Sequence, residues 1–575
     1  LTVPETSDQR ALAVSLSART DEDLAQLFSE RDVSPSATWR DTFDAADALL
    51  DPASIARALP PLTRPEAAAL VSAVSGDAPV PADIRAPLVA RALVRDDGVV
   101  YTPVAAIVSE TFPHGLPDAA APRPDRAASS DAAAEAAFTN AAALADVLLL
   151  TLEAPLGRIG SGSLGATERR RLVDAGAVET PEEADLLVGI AASVGLLGST
   201  GRAWLVTATG RTWLRLPTLD RWQSTARALR DALPRAYRSP AAGWIPSAQW
   251  ADALPFDPSG PERAARWRER FSAWGLIDGA GETPPWSAGL AAGDDVDVSA
   301  LRDLLPPEVD RVYLQNDLTA IAPGPLAPHL DVRLRSMAMR ESRAQASSYR
   351  FSAATIGAAI TSGETAESLR TFLTELSLTG LPQPLAYVIE RTSAQHGRVR
   401  VASDPETRMT RVTTTDPTLL QAMEVDQSLR SVALARAGDA LESHVAADVV
   451  FWALTDAHYP AVAIDADGAP RTLERARLAD DVPSSTPLDT YLPLIARVRA
   501  GGEDSDAAWL ERELDQAVRA RAVIDVSVRL PDGSTRVFRL EATGLGGGRL
   551  RGRDRGADVE RTLPLSHIDG IAPVE

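Results

Sequence analysis

The chain of 575 residues contains no cysteine and no lysine, and all 58 of its basic residues are arginine. Without cysteine there is no disulfide, no thiolate zinc site and no cysteine nucleophile. Without lysine there is neither the phosphate-binding lysine of a Walker A loop nor a Schiff-base nucleophile. A GC-rich genome that favours Arg and Ala codons accounts for this bias more simply than selection for function. Aromatic residues make up only 5% of the chain, whereas alanine is abundant and favours helix packing. No continuous run of 18 apolar residues occurs, and the N-terminus lacks the charged-then-apolar pattern of a secretion signal. A cytoplasmic protein with no membrane partner is therefore expected. The six histidines, at positions 114, 329, 396, 444, 458 and 567, show no ligand spacing, so neither a metal site nor a cofactor is expected.

Acidic residues dominate, 79 against 58, for a net charge of −21. Non-specific adhesion to nucleic acid depends on basic side chains that release counterions, so any DNA contact must be local. The length exceeds what one hydrophobic core serves, and the composition, 45% apolar and 24% charged, is that of a globular protein. The fold class expected is α+β and mostly helical, in several domains.

Short amphipathic helices such as DEDLAQLF and RPEAAALVSAV, followed by a turn and strand at DDGVVYTPV, predict a winged-helix-like domain over 1–112. Residues 113–130 have linker composition. Over 131–239 the order helix, short strand, helix, helix, hairpin is that of a winged helix, with Gly198–Gly201 as the wing tip. A small Trp-rich helical module is expected over 240–300. A compact α+β domain follows over 301–415, with YLQNDLTAIA as a buried strand, and an α/β extension over 416–478. A linker is expected over 479–489. The last segment, 490–575, has a helix and then strands separated by Asp-Gly and Gly-Gly turns, which predicts a small barrel.

The stretch GSGSLG at Gly160–Gly165 has the spacing of a dinucleotide-binding loop. That chemistry requires a preceding strand and a parallel crossover. The run before it has helix composition, and helices and a hairpin follow it, so the glycines are read as a packing turn. Asp465-Ala-Asp467-Gly468 lacks the alternating ligands of a calcium loop and reads as a turn. Asp294, Asp295 and Asp297 read as an acidic loop. No Ser-His-Asp set can be assembled, which leaves a hydrolase using scattered Asp and His residues as a minor alternative.

Two segments depart from the acidic average. One carries Arg333, Arg335, Arg340, Arg343 and Arg350; the other carries Arg549, Arg551, Arg553 and Arg555. The second group reads as a loop, and arginines two apart on a strand or a flexible loop can face one way and grip phosphates. The alternative is that they are solvated or neutralise this chain's own acidic surface. Arg169, Arg170, Arg171 and Arg202 form a weaker set beside the helix PEEADLLVGIAASVG, whose acidic start repels phosphate. Backbone contact by that set remains open, but base reading is not expected.

The segments VYLQNDLTAIAPGPL and SYRFSAATIGAAITSGETAESLRTFLTELSLTGLPQPLAYVIERTSAQHGRVRV resemble the helicase-associated domain related to the N-terminal region of XPB-type helicases. Together with IGSGSLGATERRRL and the Trp213 to Trp222 segment, they look like actinobacterial proteins of that family that lack the helicase motor. The last 55 residues, through VIDVSVRLPDGSTRVFRL and RTLPLSHIDGI, are similar to the Sm-like barrel of WYL domains, with GGRLRGR where that family has its Trp-Tyr-Leu cluster. The resemblance implies a non-catalytic adaptor in DNA repair or transcription. Its partner is expected to be a protein, such as a helicase or a transcription component, with DNA contacted weakly. The alternative is a DNA-binding transcriptional regulator of the winged-helix and WYL type.

Overall fold

The computed structural model describes residues 8–76, 78–118, 130–160, 162–343, 347–404, 407–465, 467–469, 471–473, 477–479, 486–500, 505–530 and 534–573. It is α+β and divides into two compact units, each assembled from segments distant in sequence. One comprises Leu1–Pro122, Gln249–Arg263 and Pro483–Glu575; the other comprises Arg123–Ala248 and Ala264–Val482.

In the first unit the N-terminal helices start where side chains satisfy their free N–H groups. Thr20 caps Asp21–Glu30, and Asp41 and Asp51 cap the next two helices. Leu24, Leu27 and Phe28 point into the core. The strand expected after Asp97 is replaced by an isolated bridge between Val94 and Val100. Pro103 suits the first turn of a helix, and Thr102–Thr111 is helical instead.

The helix Pro487–Ala500 completes this helical core from the far end of the chain. Tyr491 stacks edge-on against Phe28 at 5.9 Å and its hydroxyl donates to the Val33 carbonyl at 2.7 Å. Arg499 donates to Asp21 at 2.6 Å and to the Arg19 carbonyl at 2.7 Å. The inserted 249–263 segment joins the same core, with Phe256 edge-on to Phe112 at 4.9 Å.

The C-terminal sheet of this unit has five antiparallel strands in the order Val559–Pro564, Arg549–Asp554, Thr535–Gly546, Val523–Arg529, Ile568–Pro573. The expected barrel does not close among the described residues, because the two outer strands do not pair with each other. The helix Ser505–Ala520 takes up the closing position: its Leu514 and Ala517 pack against Val526, Leu540, Leu550 and Ile568 on the buried face.

In the second unit the long helix Ser130–Glu153 is long and apolar enough to cross a membrane by length and composition. Here it is a core helix: Ala133, Ala137, Leu144, Val147 and Leu148 are buried, and Asn140 donates to the Ala273 carbonyl at 2.9 Å. Against it lie the helices Ala166–Asp174 and Pro181–Ser193 and a three-stranded antiparallel sheet of Leu156–Gly157, Ala203–Val206 and Leu197–Thr200. The Trp-rich region forms core. Trp222 and Trp274 each donate their indole N–H to the other's carbonyl, at 2.8 and 3.0 Å, and Trp286 donates to Gly275 at 2.9 Å.

Beyond this lies a four-stranded sheet, Tyr313–Leu314, Thr319–Ala322, Ser347–Arg350, Met339–Arg343, covered by the helices Ala353–Thr361, Ala366–Leu376 and Gln383–Gln395. YLQNDLTAIA is thus a hairpin rather than one strand. Leu318 takes a left-handed φ of 66°, and the Asp317 carboxylate accepts the Thr319 N–H and hydroxyl, so the chain turns there. A five-stranded sheet follows, ordered Ala435–Ala437, Ala440–Ser443, Thr410–Thr414, Val399–Ser403, Ala461–Ala463, in which only the last pair is parallel.

Candidate nucleic-acid interface

Within the glycine stretch, residues 160 and 162–165 lie in a tight antiparallel turn, and Ser161 lies outside the described residues. Arg158 and Leu164 form a bridge, Ile159 N–H donates to Ser163, and the Trp204 indole donates to the Gly162 carbonyl at 3.1 Å. The Arg158 guanidinium lies over the Trp204 ring. Among the described residues no parallel crossover follows, and the pairs of this sheet are antiparallel. Glu168 sits in the first turn of the helix that begins at Ala166, where its charge opposes a phosphate.

Around that turn, Arg169 pairs with Asp185 at 2.8 Å, and Arg171 pairs with Glu168 at 3.3 Å and donates to the Ala154 carbonyl at 2.8 Å. Arg170 and Arg202 are exposed. The helix Pro181–Ser193 buries Ala184, Leu187, Val188, Ile190 and Ala191 and begins with Glu182 and Glu183, so it offers no donors to base edges.

The Arg333–Arg350 segment is occupied by partners within the chain. Arg333 pairs with Glu364 at 2.9 Å and lies over the Phe372 ring. Arg335 and Arg340 both grip Asp146 on the long core helix, Arg335 at 2.5 Å. Arg335 is also 3.7 Å from Asp331, which accepts the Tyr349 hydroxyl at 2.6 Å. Arg350 pairs with Glu341. The Arg343 side chain lies outside the described residues.

Asp146 is 2% exposed. Arg335 loses hydration there, yet the Asp146 and Asp331 charges outweigh that loss and raise its pKa. Tyr349 is pushed well above its ordinary range by burial and by the Asp331 charge. Arg221, also buried, donates to the Trp213 and Leu214 carbonyls. Burial lowers its pKa to about 10. This constellation holds a buried carboxylate with two guanidiniums, and Arg333, Arg335, Arg340 and Arg350 each have a partner within the chain.

Glu364 is shifted upward by burial, but hydrogen bonds from Arg333 and Ser368 prevail and hold it below the usual carboxylate range. Its contribution is therefore complete above its unfolded pKa of about 4.3 and is lost as pH falls through the lower folded value. Glu364→Gln is expected to weaken the acid dependence of unfolding below about pH 4.3, measured by thermal melts across that range.

The C-terminal sheet differs. Along Arg549–Asp554 burial alternates strictly, with Arg549, Arg551 and Arg553 exposed and Leu550, Gly552 and Asp554 buried. Arg553 is held by Asp558 at 2.7 Å and Arg555 by Glu541 at 2.7 Å. Arg539 pairs with Asp525 at 2.9 Å and Arg529 with Asp569. Arg549 and Arg551 have no ion pair or hydrogen bond from their guanidiniums among the described residues. On the adjacent strands Gly546 and Pro564 lie opposite Arg549, and Gly544 and Thr562 opposite Arg551. A Cβ added at Gly544 or Gly546 would meet nothing within 4 Å, so the floor beside the two guanidiniums is open and uncharged.

Residues 312–438 match the model of the helicase conserved C-terminal domain. The match spans the four-stranded sheet, its three helices and the first strands of the five-stranded sheet. No curated protein matches the chain. The chain thus carries a helicase-associated domain.

Proposed function

We propose that this chain is a non-catalytic accessory of a helicase or of a related repair or transcription assembly. The observation that carries the reading is a helicase-type domain in a chain that holds no lysine anywhere, and so no Walker-type phosphate lysine for ATP hydrolysis. Arg333, Arg335, Arg340 and Arg350 of that domain are engaged with Glu364, Asp146 and Glu341, which favours protein docking over a nucleic-acid track along that segment.

We read residues 131–239 as a winged-helix domain used as a spacer, because the helix before its hairpin begins with acidic residues and buries its apolar face. We read the C-terminal sheet and helix as an opened relative of the Sm-like barrel of WYL domains, and the 301–415 region as related to the XPB-type N-terminal domain. The regulator alternative gains little from a buried recognition helix.

Affinity capture with the full chain from nuclease-treated native extract is expected to retain a helicase, repair or transcription protein. The purified chain is expected to hydrolyse ATP at background rate, with and without DNA. Retention of none of these proteins would end the adaptor reading, and DNA-stimulated ATP hydrolysis would end the non-catalytic one.

A further inference from the structure

The C-terminal sheet has an exposed cationic strip that the docking role does not use. Most arginines on its outer face are neutralised: Arg529, Arg539, Arg553 and Arg555 each hold a carboxylate. Arg549 and Arg551 are not, although a chain with 79 acidic residues offers abundant partners.

Three features of the backbone keep them free. Strict alternation puts both side chains on the solvent face. The neighbouring strands place glycine, threonine and proline beside them, so no carboxylate on an adjacent strand lies opposite. The turn linking the two strands is Gly547-Gly548, both with left-handed φ, 58° and 72°, so no side chain rises from it either.

We propose that Arg549 and Arg551 form a phosphate-binding strip for the sugar-phosphate backbone of a nucleic acid, read without sequence preference. Their spacing along the strand, about 7 Å, sets two five-donor guanidiniums in line, and each can hold a phosphate bidentately. The glycine floor lets the backbone lie close to the sheet. No described element beside the strip projects a helix that could enter a groove, so the recognition stops at phosphate and sugar.

The strip stands independently of the docking role: the chain could retain no helicase and still bind through it. The net charge of −21 opposes binding elsewhere on the surface, so loss of these two side chains is expected to be felt strongly.

The test is fluorescence anisotropy with the full chain and a short labelled oligonucleotide of mixed sequence, single-stranded in one arm and duplex in the other, over a salt series. The double variant Arg549→Gln, Arg551→Gln is expected to weaken binding about tenfold or more at low salt, equally for unrelated sequences. It is expected to reduce the slope of log K against log salt by about 1.4 for the single strand or about 1.8 for the duplex. The tighter arm identifies the natural form of the backbone. Arg553→Gln, whose side chain is already held by Asp558, is expected to change affinity little. Both substituted positions are exposed and unpaired, so the melting temperature of the double variant should match that of the parent, which separates binding from folding. Wild-type affinity and slope in the double variant, or no binding of either form by the parent at low salt, would overturn the proposal.

Discussion

Asp146→Ala is expected to destabilise its unit by about 3–5 kcal/mol, because it leaves the largely buried guanidiniums of Arg335 and Arg340 without their shared carboxylate. Asp146 lies on the long helix Ser130–Glu153 and receives Arg335 at 2.5 Å together with Arg340, the latter from a strand of the four-stranded sheet. The side chains of both arginines are only 16% exposed, so water cannot replace the lost carboxylate. The loss should appear as a lower midpoint in thermal or denaturant unfolding of the full chain. Asp146→Asn keeps the shape and some hydrogen bonding while removing the charge, and should fall between the two. An alanine variant with the parent's stability would mean that Asp331, 3.7 Å from Arg335, takes over the pairing.

A loss of comparable size, about 3–5 kcal/mol, is expected for Trp222→Ala. Trp222 is 1% exposed and Trp274 fully buried, and the two indoles exchange hydrogen bonds with each other's carbonyls. Truncation therefore opens a cavity, leaves the Trp274 carbonyl without its donor and loosens the contact between the helix Thr218–Ala232 and the end of Gly260–Ala273. Trp222→Phe retains most of the apolar volume but deletes the donor, so its loss should be intermediate. Denaturant midpoints for the three proteins give the comparison, and equal stability of all three would show that the indole pair contributes nothing beyond its neighbours.

Local elements were largely legible because their signals are local. Ser352 and Thr355, and Thr365 and Ser368, form the reciprocal caps that start two helices of the helicase-associated domain. The hairpin of Leu197–Thr200 and Ala203–Val206 turns at Gly201, where φ is 59°, although residues 198–200, expected at its tip, lie in the strand. The alternation that exposes Arg549, Arg551 and Arg553 follows from the pleat of a strand with one buried face. The three helices over 353–395 and the strand Val399–Ser403 lie where their periodicity puts them.

Distant partnerships were not legible, since a carboxylate carries no mark of the guanidinium it will meet. Arg335 and Arg549 have similar sequence surroundings, basic and close to other arginines, yet one grips Asp146 across 189 positions and the other faces solvent. The helix Pro487–Ala500 begins inside the segment expected to be a linker, and its apolar face is completed by Phe28 at the other end of the chain. The open C-terminal sheet could not be anticipated from strand spacing, because the packing of the helix Ser505–Ala520 against its buried face is a tertiary contact that strand spacing does not encode.

By itself the sequence determined which side-chain chemistries this chain does not contain and many of its helical and strand segments, because these depend on residue type and on periods of a few residues. Tertiary structure alone decided which arginines are free and which segments share a core, because those outcomes depend on which charges and apolar faces the folded chain brings within a few ångströms of one another.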